Sequence, residues 1–412
     1  FLLHRLESVR ASFKRKIFLV IMSKEAEEEA GKKEGLGHKK DIKEAIGAME
    51  TLYAAFSGIR RSKDWSYYLY SFKKFWYGSH RYLSLEIVFE KGLIKFYVVT
   101  PGSLSTYVEQ QIHAVYPSAE IKETVDYNIF QAQGVVLGTY LKMPSANWLP
   151  LKTFKKFESD PTEGMLNNLS KLKMDEGAAI QMIIKPVKHK WLSRVLAVTQ
   201  RLHKGEKLEN VMGGSGVANA ITKILMFPFK ILGDIFKTIT ATAKDKQKED
   251  TERAEKKNAP VRLMQREEEL VKAIEEKISK ACFETNINII ASAADIFQAK
   301  QILSNLTSSF AQFTSHETGA ALKERAIVFK GMFIRDFIYR NFNKYRANVL
   351  STEELASLLH FPLPSAETPN ILWLQARQSP PPVNLPETGL ILGETVYRGV
   401  NHLVHIQAEE RR

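Results

Sequence analysis

Between Lys323 and Arg346 seven positive charges, Lys323, Arg325, Lys330, Arg335, Arg340, Lys344 and Arg346, stand against two acids, Glu324 and Asp336. Phe329, Phe333, Phe337, Tyr339, Phe342 and Tyr345 are interleaved with them. Cations at this density attract phosphate, and rings set between them offer faces on which bases stack. Lys330, Arg335, Arg340, Lys344 and Arg346 are therefore the candidate nucleic-acid contacts. The same composition also describes a solvated basic face over an ordinary aromatic core, and an anionic bilayer attracts the same charges. A second run, Lys185 to Lys207, sets seven cations against the single acid Glu206.

A third stretch, Trp65 to Tyr82, carries aromatics among Arg60, Arg61, Lys63, Lys73, Lys74 and Arg81 and suits base stacking on a single strand. Beside it, Lys91-Gly92 opens like the RNA-recognition signature. Leu93, Ile94 and Lys95 then stand where aromatics and a small residue belong, so RNA recognition is a minor reading.

Other chemistry lacks its residues. A phosphate loop needs a glycine turn ending in Gly-Lys-Ser or Gly-Lys-Thr, and neither tripeptide occurs. Gly213-Gly214-Ser215-Gly216 has neither the dinucleotide-binding spacing nor the full nucleophile-elbow pattern and reads as a hinge. His402 and His405, three apart on a strand, point to opposite faces and do not share a metal. Cys282 is the only cysteine, which excludes an internal disulfide and a multi-thiolate zinc site. No catalytic, cofactor-binding or metal-binding residue is assigned, and no enzyme activity is expected of this chain.

The formal charge of +13 favours a negative partner. Val217 to Thr240 is apolar and aromatic, with Lys223, Lys230 and Lys237 seven residues apart and therefore near one line of a helix that Pro228 kinks. Ile221, Leu225, Phe227, Phe229, Phe236 and Lys230 are the candidate membrane contacts, with a hinge helix packed on its own domains as the alternative. The basic run Arg10, Lys14, Arg15 and Lys16 resembles the flank of a membrane anchor lying before Phe1. No internal segment reaches the roughly 20 apolar residues that a spanning helix needs.

The elements that must position these groups follow from periodicity. Strands are expected at 17–22, 82–90, 93–100, 119–127, 133–143, 178–187, 282–291 and 400–406, and helices at 41–56, 103–116, 162–172, 190–203, 263–280 and 294–313. A returning strand is expected at 326–329, and a short helix at 355–360 with Ser351 or Thr352 as its N-cap. The fold class is α+β: two or three ferredoxin-like α/β sandwich modules joined by a flexible amphipathic linker, plus a C-terminal strand-rich lead-in. The expected divisions are a membrane-proximal strand and linker (1–40), modules at 41–130, 131–204 and 263–350, the linker (205–262), and the lead-in (351–412).

Residues Asn348 to Pro362, the Pro-rich crossing near Pro380-Pro381-Pro382, Gly389 to Gly393, Tyr397-Arg398-Gly399 and the strand running to Arg412 resemble the region before the motor of type IV secretion and conjugative DNA-transfer ATPases. The resemblance covers about residues 340–412; upstream only element order matches. It implies a non-catalytic accessory region of a membrane-associated, ring-forming ATPase on the cytoplasmic face of the membrane. ATP and magnesium would bind only in a motor lying after Arg412. The expected partners are a membrane surface, further copies of the chain, secretion-channel subunits and DNA. A free-standing basic nucleic-acid adaptor is the alternative.

Overall fold

The computed structural model describes residues 14–24, 38–59, 82–131, 133–203, 265–375, 385–386, 388–397 and 400–407. These divide into two compact units, Phe1–Val187 with Lys280–Arg412, and Lys188–Ser279. The architecture is mixed α/β, with a largely antiparallel sheet and eight α-helices among the described residues.

The first half of the large unit runs β1 (Arg15–Ser23), α1 (His38–Phe56), β2 (Leu83–Glu90), β3 (Leu93–Pro101), α2 (Ser105–Val115) and β4 (Glu120–Thr124). Lys91 and Gly92 join β2 to β3 with φ of 51° and 80°. Two successive left-handed residues make the turn whose twist suits a two-residue hairpin, and glycine takes its position without strain. Along α1 the buried side chains are Ile46, Met49, Leu52, Tyr53 and Phe56, the three-to-four spacing of one helix face.

The second half repeats this order with β5 (Val135–Lys142), α3 (Glu163–Ser170) and β6 (Gly177–Pro186). The chain then enters the small unit, where α4 (His189–His203) packs on α5 (Gln265–Ser279). It continues as β7 (Cys282–Ala293), α6 (Ile296–Ser308) and β8 (Lys323–Arg325). Next come α7 (Lys330–Ile338), β9 (Asn348–Ser351), α8 (Thr352–Leu358), β10 (Trp373–Leu374) and a separate hairpin of β11 (Leu390–Tyr397) and β12 (Val400–Ile406).

One ten-stranded sheet joins the halves. β4 pairs with β1, β1 with β3, and β3 with β2; in the second half β8 pairs with β5, β5 with β7, and β7 with β6. The seam is β2 against β6, from Leu83↔Ile184 to Phe89↔Ala178. β9 extends the row of β5 along β7, and β10 joins β1 in parallel, as Ile371 does Ile94 of β3.

β1, expected as a membrane-proximal strand, lies between β3 and β4 in the sheet. The segments expected as second and third modules share that sheet, because β7 pairs with both β5 and β6. The return strand falls at 323–325, and 330–338 is helical, leaving Val328 and Phe329 exposed.

Strand alternation explains the core. Leu83, Leu85, Ile87 and Phe89 fill one face of β2, and Ser84, Glu86 and Val88 the other; all are buried. On that second face Val88, Tyr97, Ala179 and Ile290 are closed over by Ile129 and by Phe337 of α7.

Candidate functional site

The outer margin of the second half is formed by β8, whose Lys323 and Arg325 stand opposite Lys142 and Tyr140 of β5. Lys323, Arg325, Lys330 and Lys344 are exposed. The Lys142 ammonium donates to the Tyr345 carbonyl, which ties the 344–346 turn to this margin. Two large rings face solvent here, Phe329 at 68% exposure and Tyr345 at 85%. Cations and unpacked rings on a rigid sheet margin are what a phosphate backbone and its bases require.

Arg346 holds the turn from inside. Its guanidinium lies over the rings of Phe333 and Tyr140, at 5.1 and 5.4 Å, and pairs with Asp336 Oδ2 at 3.5 Å. Arg335 lies 3.9 Å from Asp336 Oδ1. Of the five expected nucleic-acid contacts, then, Lys330 and Lys344 are open, while Arg335 and Arg346 flank one carboxylate.

Arg340 is not a surface group. Its side chain is 4% exposed, on a backbone with φ of 50°. Nε donates to Glu86 Oε1 at 2.8 Å and Nη2 to Glu86 Oε2 at 3.1 Å. Nη1 and Nη2 reach Asp126 Oδ2 and Oδ1 at 2.8 and 2.7 Å. A guanidinium fork so occupied has no edge left for phosphate. Around Glu86 a polar row crosses three strands: Ser84 Oγ and Gln181 Nε2 donate to Oε1 at 2.6 and 3.0 Å, and Asn288 Nδ2 donates to Gln181 Oε1 at 3.0 Å. Burial would raise the Glu86 carboxyl, but the Arg340 charge and its hydrogen bonds outweigh this and hold it below the ordinary value. The row anchors the segment that carries Lys344 and Tyr345.

A second buried framework surrounds α8. Ser351 is the N-cap: its Oγ accepts from Glu354 N at 3.3 Å, while Ser351 N donates to Glu354 Oε2 at 2.7 Å. Glu354 Oε1 also accepts from Leu151 N at 2.7 Å, and Ser357 Oγ from Phe154 N at 2.8 Å. Glu353 receives Lys155 at 2.8 Å and also Lys280.

Below the helix, His360 Nδ1 lies 2.9 Å from the Ala356 carbonyl and Nε2 3.1 Å from Asp160 Oδ1. Both ring nitrogens therefore face acceptors, the pattern of an imidazolium. Thr162 Oγ1 lies 3.2 Å from Nε2 but donates to Asp160 Oδ1 at 2.8 Å. A hydroxyl committed to the carboxylate is not poised as a nucleophile, so these three groups serve as a structural ion pair.

One cavity of about 240 Å3 lies between Glu90, Asn128, Gln131, Met174 and Glu176. Glu90 in it is already paired with Lys95 at 3.1 Å. Among the described residues no group of His, Cys, Asp or Glu is arranged to hold a metal ion, and no helix is long and apolar enough to cross a membrane. The expected membrane contacts Ile221, Leu225, Phe227, Phe229, Lys230 and Phe236 lie outside the described residues.

Sequence reading missed Glu86, Asp126 and Lys142 because nothing local marks them. Glu86 is 254 positions from Arg340, and its strand pattern signals only that it alternates with Leu85 and Ile87. No curated protein matches the chain. The family model for a domain of unknown function, DUF8128, matches residues 75–374, from just before β2 to the end of β10. That span is nearly three quarters of the sequence and takes in the seam, the polar row, the basic margin and the α8 framework, and the chain accordingly belongs to the DUF8128 family.

Proposed function

We propose that this chain is a non-catalytic accessory module of a membrane-associated secretion or DNA-transfer ATPase, and that its margin at β8 receives a polyanion, nucleic acid before others. The observation that carries the reading is the convergence of exposed Lys323, Arg325, Lys330 and Lys344 with the unpacked rings of Phe329 and Tyr345. The net charge of +13 supports it, as does the resemblance of residues 340–412 to the region before such motors. On this reading the two halves are ferredoxin-like modules. Their support is the shared order strand, helix, strand, strand, helix, strand, with neighbours β4-β1-β3-β2 and β8-β5-β7-β6. Membrane attachment, copy-to-copy assembly and channel docking belong to the same proposal.

The test is binding of a fluorescent oligonucleotide to the full chain, followed across salt concentrations. Joint reversal of Lys323, Arg325 and Lys330 to glutamate weakens binding by at least about tenfold and flattens the salt slope by about three counterions. Unchanged binding by the triple variant, or no binding by the parent chain, removes the polyanion reading.

A further inference from the structure

Sheet edges attract strands, and proteins usually blunt them with charge, proline or a bulge. β8 is blunted by Lys323 and Arg325, and β4 by Glu120, Lys122 and Glu123. β5 is different. β8 pairs with it at Tyr140–Lys142, and its Arg325 carbonyl also accepts from the buried Thr139 Oγ1 at 3.0 Å, but among the described residues no strand pairs with the outer side of Val135–Thr139. That stretch reads Val-Val-Leu-Gly-Thr, with no charge and no proline. β1 holds the corresponding place in the first half, and there β4 covers Ile17–Ile21 and β10 covers Met22 and Ser23.

The direction of the open groups can be derived. Asn348, on the row of β9 beside β7, donates from Nδ2 to the Leu141 carbonyl at 2.9 Å and accepts from Met143 N at 2.8 Å. Leu141 therefore turns its backbone groups toward β7. In an antiparallel strand the direction alternates, so Thr139 and Leu137 also turn inward, and Val136 and Gly138 turn their N–H and C=O outward. At Gly138 the Phe333 ring lies where a Cβ would stand, which draws α7 down onto the strand face.

We infer that the outer edge of Val135–Thr139 is a strand-addition site for an extended peptide segment of a partner protein, with acidic side chains at the end that meets Arg325 and Lys323. Backbone pairing to Val136 and Gly138 supplies the binding, and the half-buried Val135, Val136 and Leu137 supply an apolar border. The acid requirement follows from the two cations next along the same edge. A second copy of the chain is disfavoured by its own charge of +13. The backbone pairing does not rest on the polyanion reading, since its groups carry no charge, while the acidic end shares Arg325 and Lys323 with that surface.

The test uses the full chain and a short synthetic peptide of alternating valine and threonine with a glutamate pair at one end. In the free chain the amides of Val136 and Gly138 exchange faster than those of Leu137 and Thr139, and the peptide slows them about tenfold or more. Val136→Pro removes one outward donor from an edge position where proline is tolerated, and weakens peptide binding about tenfold while oligonucleotide binding stays at parent level. Equal protection of all four amides in the free chain overturns the inference, with no substitution involved. So does peptide binding that survives Val136→Pro, equal binding of a lysine-ended peptide, or protection that arises from dimerisation of the chain alone.

Discussion

Arg340 and Glu86, 254 positions apart in sequence, meet through two hydrogen bonds of 2.8 and 3.1 Å at the seam between the two halves of the sheet. Glu86 is fully buried, and Arg340 holds its other edge against Asp126. Charge is taken out of water there only because each group completes the other's hydrogen bonding.

Removing one partner strands the other. Glu86→Ala leaves a buried guanidinium with half its acceptors gone and is expected to cost about 3–5 kcal/mol. Arg340→Lys, which keeps the charge but loses the fork, is expected to be destabilising as well. Urea midpoints decide this; a loss below about 1 kcal/mol for Glu86→Ala would show that the pair is dispensable.

The His360–Asp160 pair makes stability depend on pH at both ends. Burial would lower the His360 value, but the Asp160 charge and hydrogen bond outweigh it and raise it above 6.5. Its contribution is therefore complete below 6.5 and is lost as pH rises through the folded value. Burial would raise Asp160, yet the His360 charge and the bonds to Thr162 hold it below 3.8. Its contribution is complete above 3.8 and is lost as pH falls through the folded value. Melting temperature against pH should show a decline on the alkaline side that His360→Gln removes; an unchanged slope in that variant assigns the decline to other groups.

Gly138→Ala places a methyl group against the Phe333 ring and the Ile289 carbonyl. Overpacking of this kind is expected to cost about 1–3 kcal/mol. Shortening the ring with Phe333→Leu should recover part of the loss in the double variant, and strict additivity in that cycle would place the cost elsewhere.

Ser351→Ala removes the side-chain half of the α8 cap and is expected to cost about 1 kcal/mol. Glu354→Ala is expected to cost more, since it frees both Ser351 N and Leu151 N in a buried place. Chemical denaturation of the two variants checks the order, and the reverse order would mean that water replaces the carboxylate.

What the sequence determined by itself is local. The hairpin turn at Lys91-Gly92, a cap at Ser351 or Thr352, which the structure places at Ser351, and the apolar face of α1 were legible because their partners lie within a turn or two of chain. Tertiary structure decided the rest. β1 reads alone as an isolated apolar strand, and only pairing with β3 and β4 places it inside the sheet. The break between β6 and β7 reads as the end of one module and the start of another, although the two strands lie side by side. Arg340 has the same sequence character as Lys330, yet one is buried against two carboxylates and the other faces solvent. Charge density along a chain has no direction, and the neighbours that neutralise a given cation are chosen by strand register across hundreds of residues.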